Sequence, residues 1–109
     1  MRRGEIWTVL GKSYASKPRP VLIVQSDLVD SFESTVLCLV TSSDSSEIPT
    51  RVRVEPTPEN GLRETSWIMT DKLYSARKGE LGQRIGMLDD ESMGKVTRQL
   101  AAILGIPMP

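Results

Sequence analysis

Apolar residues in this chain arrive in short bursts, each cut off by proline, glycine or a run of small polar residues. That rhythm is the pattern of many short strands. Gly4 to Leu10 reads as a first strand centred on Ile6 and Trp7. Val21 to Gln25 and Thr35 to Thr41 are nearly continuous apolar runs, the pattern of strands covered on both faces. Arg51-Val52-Arg53-Val54 alternates charge with β-branched residues, as a half-exposed strand does. Ser66 to Leu73 and Gln83 to Leu88 complete the set. Between them lie a polar loop from Gly11 to Lys17, a segment from Ser26 to Ser34 long enough for one helical turn, and a Ser/Asp-rich loop from Ser42 to Pro49. Asn60-Gly61, after two prolines, signals a turn, and Arg77 to Gly82 reads as a turn or a single helical turn.

The spacing predicts one real helix, at the end. Asp89 is placed to cap it, and Asp90 and Glu91 complement the positive end of its dipole. Met93, Val96, Leu100, Ile103 and Leu104 form one apolar face, and Gly105 and Pro107 stop the turn. The expected fold is therefore α+β and mostly β, one small barrel-like domain over residues 1–109.

Composition mainly excludes. With 14 basic and 14 acidic residues the formal net charge is zero, so any grip on nucleic acid must come from local clustering. There is no histidine. His-based triads, His metal sites and paired-histidine ribonuclease chemistry are ruled out, and no metal or other cofactor is expected. The one cysteine, Cys38, can form no internal disulfide, and its apolar neighbours mark it as a buried small hydrophobe. Met1-Arg2-Arg3-Gly4-Glu5 is not followed by the apolar core of a secretory signal, and no run approaches membrane-spanning length. A cytoplasmic protein without a membrane partner is the expectation.

Two segments are unusual for a plain scaffold. In Lys17-Pro18-Arg19-Pro20 two prolines stiffen the backbone around one arginine just before a buried strand. Such a guanidinium suits a phosphate, and a solvated arginine in a stiff loop is the plain alternative. Thr41-Ser42-Ser43 places hydroxyls at the end of another strand, where they can donate to phosphate oxygens or simply begin a loop. Asp71, within Ile68-Met69-Thr70-Asp71-Lys72, is a third candidate. A strand carboxylate usually faces water, paired with a neighbour such as Lys72 or an arginine on the next strand. Arg51 and Arg53 share one strand face and read either as a basic strip or as ordinary solvated charge. Trp7 and Trp67 could stack bases, but in a chain so poor in aromatics core is the better reading for both.

Arg3-Gly4-Glu5-Ile6-Trp7, followed by Arg19-Pro20-Val21-Leu22-Ile23-Val24-Gln25, resembles the opening of MazF/PemK-type toxins. Val40-Thr41-Ser42-Ser43 is similar to their second block, and Leu88-Asp89-Asp90-Glu91-Ser92-Met93 with its helix to their C-terminal block. The resemblance runs in order over nearly the whole chain. It implies an SH3-like barrel with a C-terminal helix, a homodimer, and a cognate antitoxin that covers the RNA groove. The implied activity is cleavage of single-stranded RNA at short motifs by an endoribonuclease that needs no metal. Carried over, the family's active-site residues are Arg19 and Thr41, with Ser42 as a helper. Lys17, Ser43, Arg51, Arg53 and Trp67 are the accompanying RNA-binding candidates. Some relatives pair an arginine and an aspartate two residues apart. Here Asp71 matches the aspartate, but Met69 stands at the arginine's place, and a first-loop histidine is missing too. The resemblance therefore centres the chemistry on Arg19 and Thr41, with Asp71 as the secondary catalytic candidate. Two rival readings sit on the same fold: a non-enzymatic toxin of the CcdB kind that binds DNA gyrase, and a catalytically dead binding module. Neither needs Arg19 with Thr41.

Overall fold

A computed structural model describes residues 1–9, 18–29 and 33–108. Six strands and one long helix follow in the order β1 (Glu5–Val9), β2 (Arg19–Ile23), β3 (Ser34–Thr41), β4 (Val52–Val54), β5 (Ser66–Arg77), β6 (Leu81–Met87) and α1 (Asp90–Leu104). All strand pairs are antiparallel, in the order β4-β5-β3-β2-β1-β6. The Gly11–Lys17 loop, with Lys17, lies outside the described residues.

Alternation sorts the side chains onto two faces. Ile6, Leu22, Cys38, Val40, Val52, Val54 and Ile68 turn inward with Leu62 and Leu88 and meet Val96 and Leu100 of α1. Val21, Ile23 and Leu37 turn the other way and cluster with Ala76 and Leu81, with Trp7, Val9 and Leu39 packed against them. This is why Val21 to Val24 reads as an unbroken apolar run: both faces of β2 are covered.

The sheet rolls until its two edges approach. The Met87 N–H donates to the Glu59 carbonyl at 2.8 Å, joining β6 to the turn that follows β4. Asn60 organises that turn by accepting from the Thr57 and Leu62 amides and donating to the Glu55 carbonyl. Two glycines make the seam feasible. Gly61 sits at φ 70°, and a Cβ on Gly86 would lie 2.2 Å from the Asn60 carbonyl carbon.

Asp89 caps α1 as its position in the sequence predicts, accepting from the Ser92 amide at 3.0 Å, and Gly105 ends the helix at φ 71°. The buried helix residues are Val96, Leu100 and Ala101. Burying Val96 and Leu100 contributes about 1.5–3 kcal/mol each. The apolar face stops sooner than its periodicity predicts, because Ile103 and Leu104 have passed the end of the barrel and stay exposed. Arg3 ties the first residues to this helix: its guanidinium donates to the Val24 carbonyl and, at 2.6 Å, to the Thr97 hydroxyl.

Strand limits shift by a few residues. β2 begins two residues early, so Arg19 belongs to the strand rather than to the loop before it. β5 runs four residues past Leu73, to Arg77. Of the Ser26–Ser34 segment, Ser26 to Val29 form a turn, with the Val29 amide donating to the Ser26 carbonyl, and residues 30–32 lie outside the described residues. Lys78–Glu80 is a single 3-10 turn.

Candidate RNA-cleavage site

The register assembles the candidates. β1 pairs Val9 with Arg19, and β2 pairs Val21 with Leu39. Continuing the second pairing two residues along each strand sets Arg19 opposite Thr41. β3 then pairs Thr41 with Trp67, and β4 pairs Arg53 with Trp67. One transverse row therefore runs Val9, Arg19, Thr41, Trp67, Arg53. Opposite residues of antiparallel strands point to the same face, with Cα atoms about 5 Å apart. Four residues singled out separately in the sequence stand side by side, on the face away from α1.

Pro20 contributes to this mouth. It has no N–H, and the β2–β3 ladder starts only at Val21. Arg19 is exposed and Thr41 partly so. Thr41 Oγ1 accepts from the Ser43 amide at 3.1 Å, which folds Ser42 and Ser43 back over the strand end. Both serines are exposed.

The remaining candidates take other roles. Trp67 is only 9% exposed, as the core reading expects, so it offers little ring face for a base. Arg53 pairs with Glu55 at 2.8 Å. Arg51 turns to Asp71, donating from Nε at 3.0 Å and Nη2 at 3.1 Å to the two carboxylate oxygens. Its Nη1 donates to Ser45 Oγ at 3.1 Å. The basic strip that alternation suggests is thus neutralised by this chain's own carboxylates.

Asp71 owes its position to an irregularity in β5. Pairing passes from Leu39–Met69 to Cys38–Leu73, so Thr70, Asp71 and Lys72 have no partner on β3. The bulge re-aims the carboxylate at Arg51. The Arg51 hydrogen bonds hold the Asp71 carboxyl below the usual carboxylate range, against a smaller opposing effect of burial. An acid held ionised in a two-point salt bridge is a poor proton acceptor.

Elsewhere, burial pushes the Cys38 thiol up to about 12, which removes it as a nucleophile. Glu5 accepts from the Trp7 indole at 3.0 Å and from Arg84 at 2.9 Å. Burial works to raise its pKa, but the hydrogen bonds from Arg2, Trp7 and Arg84 together keep it lowered. Among the described residues no three His, Cys, Asp or Glu side chains cluster as metal ligands would. Sequence reasoning missed Ser45, buried at 3% exposure in a loop of otherwise exposed polar residues. Nothing in the sequence marks it apart from Ser42, Ser43 and Ser46.

Comparison with known proteins gives a consistent result. Residues 2–104 match the family described as the PemK-like, MazF-like toxin of type II toxin-antitoxin systems. The chain is 40% identical over 107 residues to a probable endoribonuclease MazF of Mycolicibacterium smegmatis, covering 97% of this chain and 98% of that one. It is 30% identical over 90 residues to the endoribonuclease EndoA of Bacillus subtilis, covering 81% and 77% of the two chains. Among solved structures, an endoribonuclease in complex with its cognate antitoxin from Mycobacterial species superposes with a TM-score of 0.83 at 27% identity, over 100% of this chain and 99% of that one.

Proposed function

We infer that this chain, which belongs to the PemK-like, MazF-like toxin family of type II toxin-antitoxin systems, is an endoribonuclease toxin that cuts single-stranded RNA at short sequence motifs without a metal. The observation that carries the reading is the row that sets Arg19 beside Thr41 at an open strand mouth. The gyrase-binding alternative of the CcdB kind is set aside, since the relatives carry the endoribonuclease name.

The chemistry these residues suit is internal transesterification. The RNA 2′-hydroxyl attacks the adjacent phosphorus, its proton leaves, and the P–O5′ bond breaks. The products are a 2′,3′-cyclic phosphate and a 5′-hydroxyl that has gained a proton. Arg19 supplies a planar fork of donors to the non-bridging oxygens, where negative charge grows. Thr41 already accepts from the Ser43 amide, so its own O–H is free to donate to the same phosphate. A guanidinium holds its proton too tightly to act as a base, so Arg19 acts by charge and geometry. Ser42 and Ser43, exposed beside Thr41, line the path of the backbone. DNA has no 2′-hydroxyl and is not cut.

The protein works as a cytoplasmic homodimer, and a cognate antitoxin restrains it. An acidic antitoxin segment laid over the Arg19 row would bring carboxylates where phosphates otherwise bind. Its affinity falls with added salt.

A long single-stranded RNA incubated with the protein in EDTA tests the reading. Discrete fragments with cyclic-phosphate ends are expected. Activity lost in EDTA and restored by magnesium would overturn the metal-free mechanism.

A further inference from the structure

We propose that Asp71 and Arg51 are positioning residues, acting on the Thr41 hydroxyl through hydrogen bonds that hold the Ser43 backbone in the loop between β3 and β4. The inference rests on the cleavage reading above and assigns these two residues a part in it.

The chain can be followed bond by bond. Both Asp71 oxygens accept from Arg51, at 3.0 and 3.1 Å. The remaining terminal nitrogen of Arg51, Nη1, donates to Ser45 Oγ at 3.1 Å. Ser45 Oγ donates to the Ser43 carbonyl at 3.1 Å. The Ser43 amide donates to Thr41 Oγ1 at 3.1 Å. The chain enters Ser43 at its carbonyl and leaves at its amide, so it passes from one peptide unit to the next through the Ser43 Cα.

The surroundings keep the chain rigid. Ser45 is buried, and the Arg51 side chain is only 14% exposed. The loop closes on itself through Ile48 N–H to the Ser45 carbonyl at 2.9 Å and Arg51 N–H to the Ile48 carbonyl at 3.1 Å. At its far end the Thr50 carbonyl accepts from the buried Thr70 hydroxyl, one residue before Asp71. The loop is thus pinned to the β5 bulge at both Thr70 and Asp71.

The consequence falls on Thr41. A hydroxyl carries one proton and rotates to suit its partners. With a lone pair committed to the Ser43 amide, the Thr41 hydroxyl has fewer orientations open to it, and its proton is kept for another acceptor such as the phosphate. Without the Arg51 anchor the Ser43 backbone loses the hold on its carbonyl, its amide is less firmly placed, and the Thr41 hydroxyl must be oriented anew at each encounter with RNA. A donor oriented before the transition state is worth far more than one that must reorganise. Asp71 thus takes part without touching RNA, through the arginine at position 51.

A double-mutant cycle read by single-turnover cleavage separates the roles. Arg51→Met and Asp71→Asn should each lower the rate constant about tenfold while leaving RNA affinity within twofold. In a Thr41→Ala background the same substitutions should have almost no further effect, because the group they orient is gone. An undiminished tenfold loss in that background would overturn the proposal and make Asp71 a direct participant. A loss of affinity with the rate constant intact would overturn it in favour of Arg51 as an RNA contact. The structural half needs no substrate. Hydrogen exchange of the Ser43 amide should be at least about tenfold faster in Arg51→Met than in the wild type, with the β2 and β3 amides unchanged. Unchanged Ser43 exchange would overturn the relay even in a protein that cuts RNA. Faster exchange in a protein that cuts none would leave the loop anchor standing and reject the cleavage reading instead.

Discussion

At the residue scale the proposed site rests on Arg19 more than on any other side chain. Arg19→Ala removes the main charge facing the reacting phosphate and should slow cleavage about a hundred- to a thousandfold in single-turnover assays. Arg19→Lys should recover little, because an ammonium lacks the bidentate fork. Thr41→Ala should rank next, and Thr41→Ser should retain much of the activity because the hydroxyl survives. Asp71→Asn should be milder than either. It should also cost about 1 kcal/mol of stability, a small figure because the salt bridge is partly open to water. Asp71 has a lowered pKa when folded, so its contribution is complete above the ordinary aspartate value of about 3.9 and is lost as pH falls through the folded value. The melting temperature of the wild type should therefore drop more steeply below about pH 4 than that of Asp71→Asn. A flat difference between the two across that range would contradict the pairing. Cys38 behaves in the opposite sense: burial raises its pKa to about 12, so alkylation of the folded protein at pH 8 should be negligible unless the chain is first unfolded.

At the element scale the decisive feature is the seam where β6 meets the turn after β4. Gly86→Ala forces a methyl to 2.2 Å from the Asn60 carbonyl carbon and 2.3 Å from its oxygen. The turn must move or the seam must part, at a cost of about 3 kcal/mol or more. A melting temperature within 2 °C of the wild type, on an order-of-magnitude expectation of at least about 10 °C of loss, would show that the edges are not held together here. How far the elements can be read from sequence depends on which interactions define them. Local signals suffice for α1, whose capping aspartate and terminal glycine bracket an apolar period. They suffice for the Asn60-Gly61 turn and for the two-sided burial of β2 and β3. They fail where pairing across the sheet decides. Arg19 looks like loop because prolines flank it, and only its alignment with Val9 makes it strand. The β5 bulge leaves no mark in Thr70-Asp71-Lys72, because it is defined by what β3 does not offer opposite them. The candidate site is therefore half legible. Arg19 and Thr41 announce themselves by type and by family resemblance, whereas Ser45 and the Arg51 anchor depend on a loop path that no spacing encodes.

At the scale of the whole molecule the balance of charge and the placement of apolar surface point to company. Fourteen charges of each sign cancel, and several arginines are spent on nearby carboxylates. Long-range attraction to RNA should therefore be weak, and in the proposed reading recognition relies on contact at the Arg19 row. Ile103, Leu104, Ile106 and Met108 stand 40–55% exposed together at the end of α1. So many exposed apolar residues within a few positions are what an isolated small protein avoids, and a second copy is the occupant expected in the proposed homodimer. Light scattering at micromolar concentration should return twice the chain mass, and Leu104→Glu should shift it toward one. A monomeric wild type that cuts RNA at full rate would defeat the assignment. The path of the chain adds a constraint of timing. β1 is laid down first, yet one of its two neighbours is β6, and Arg3 waits for Thr97 before its hydrogen bonds are complete. Contacts so distant along the chain form slowly. A growing polypeptide that has already made both Arg19 and Thr41 still lacks the strand that closes the barrel and the helix that fills it. The cell thus gains an interval, between making Arg19 and Thr41 and finishing the chain, in which the toxin exists only in parts.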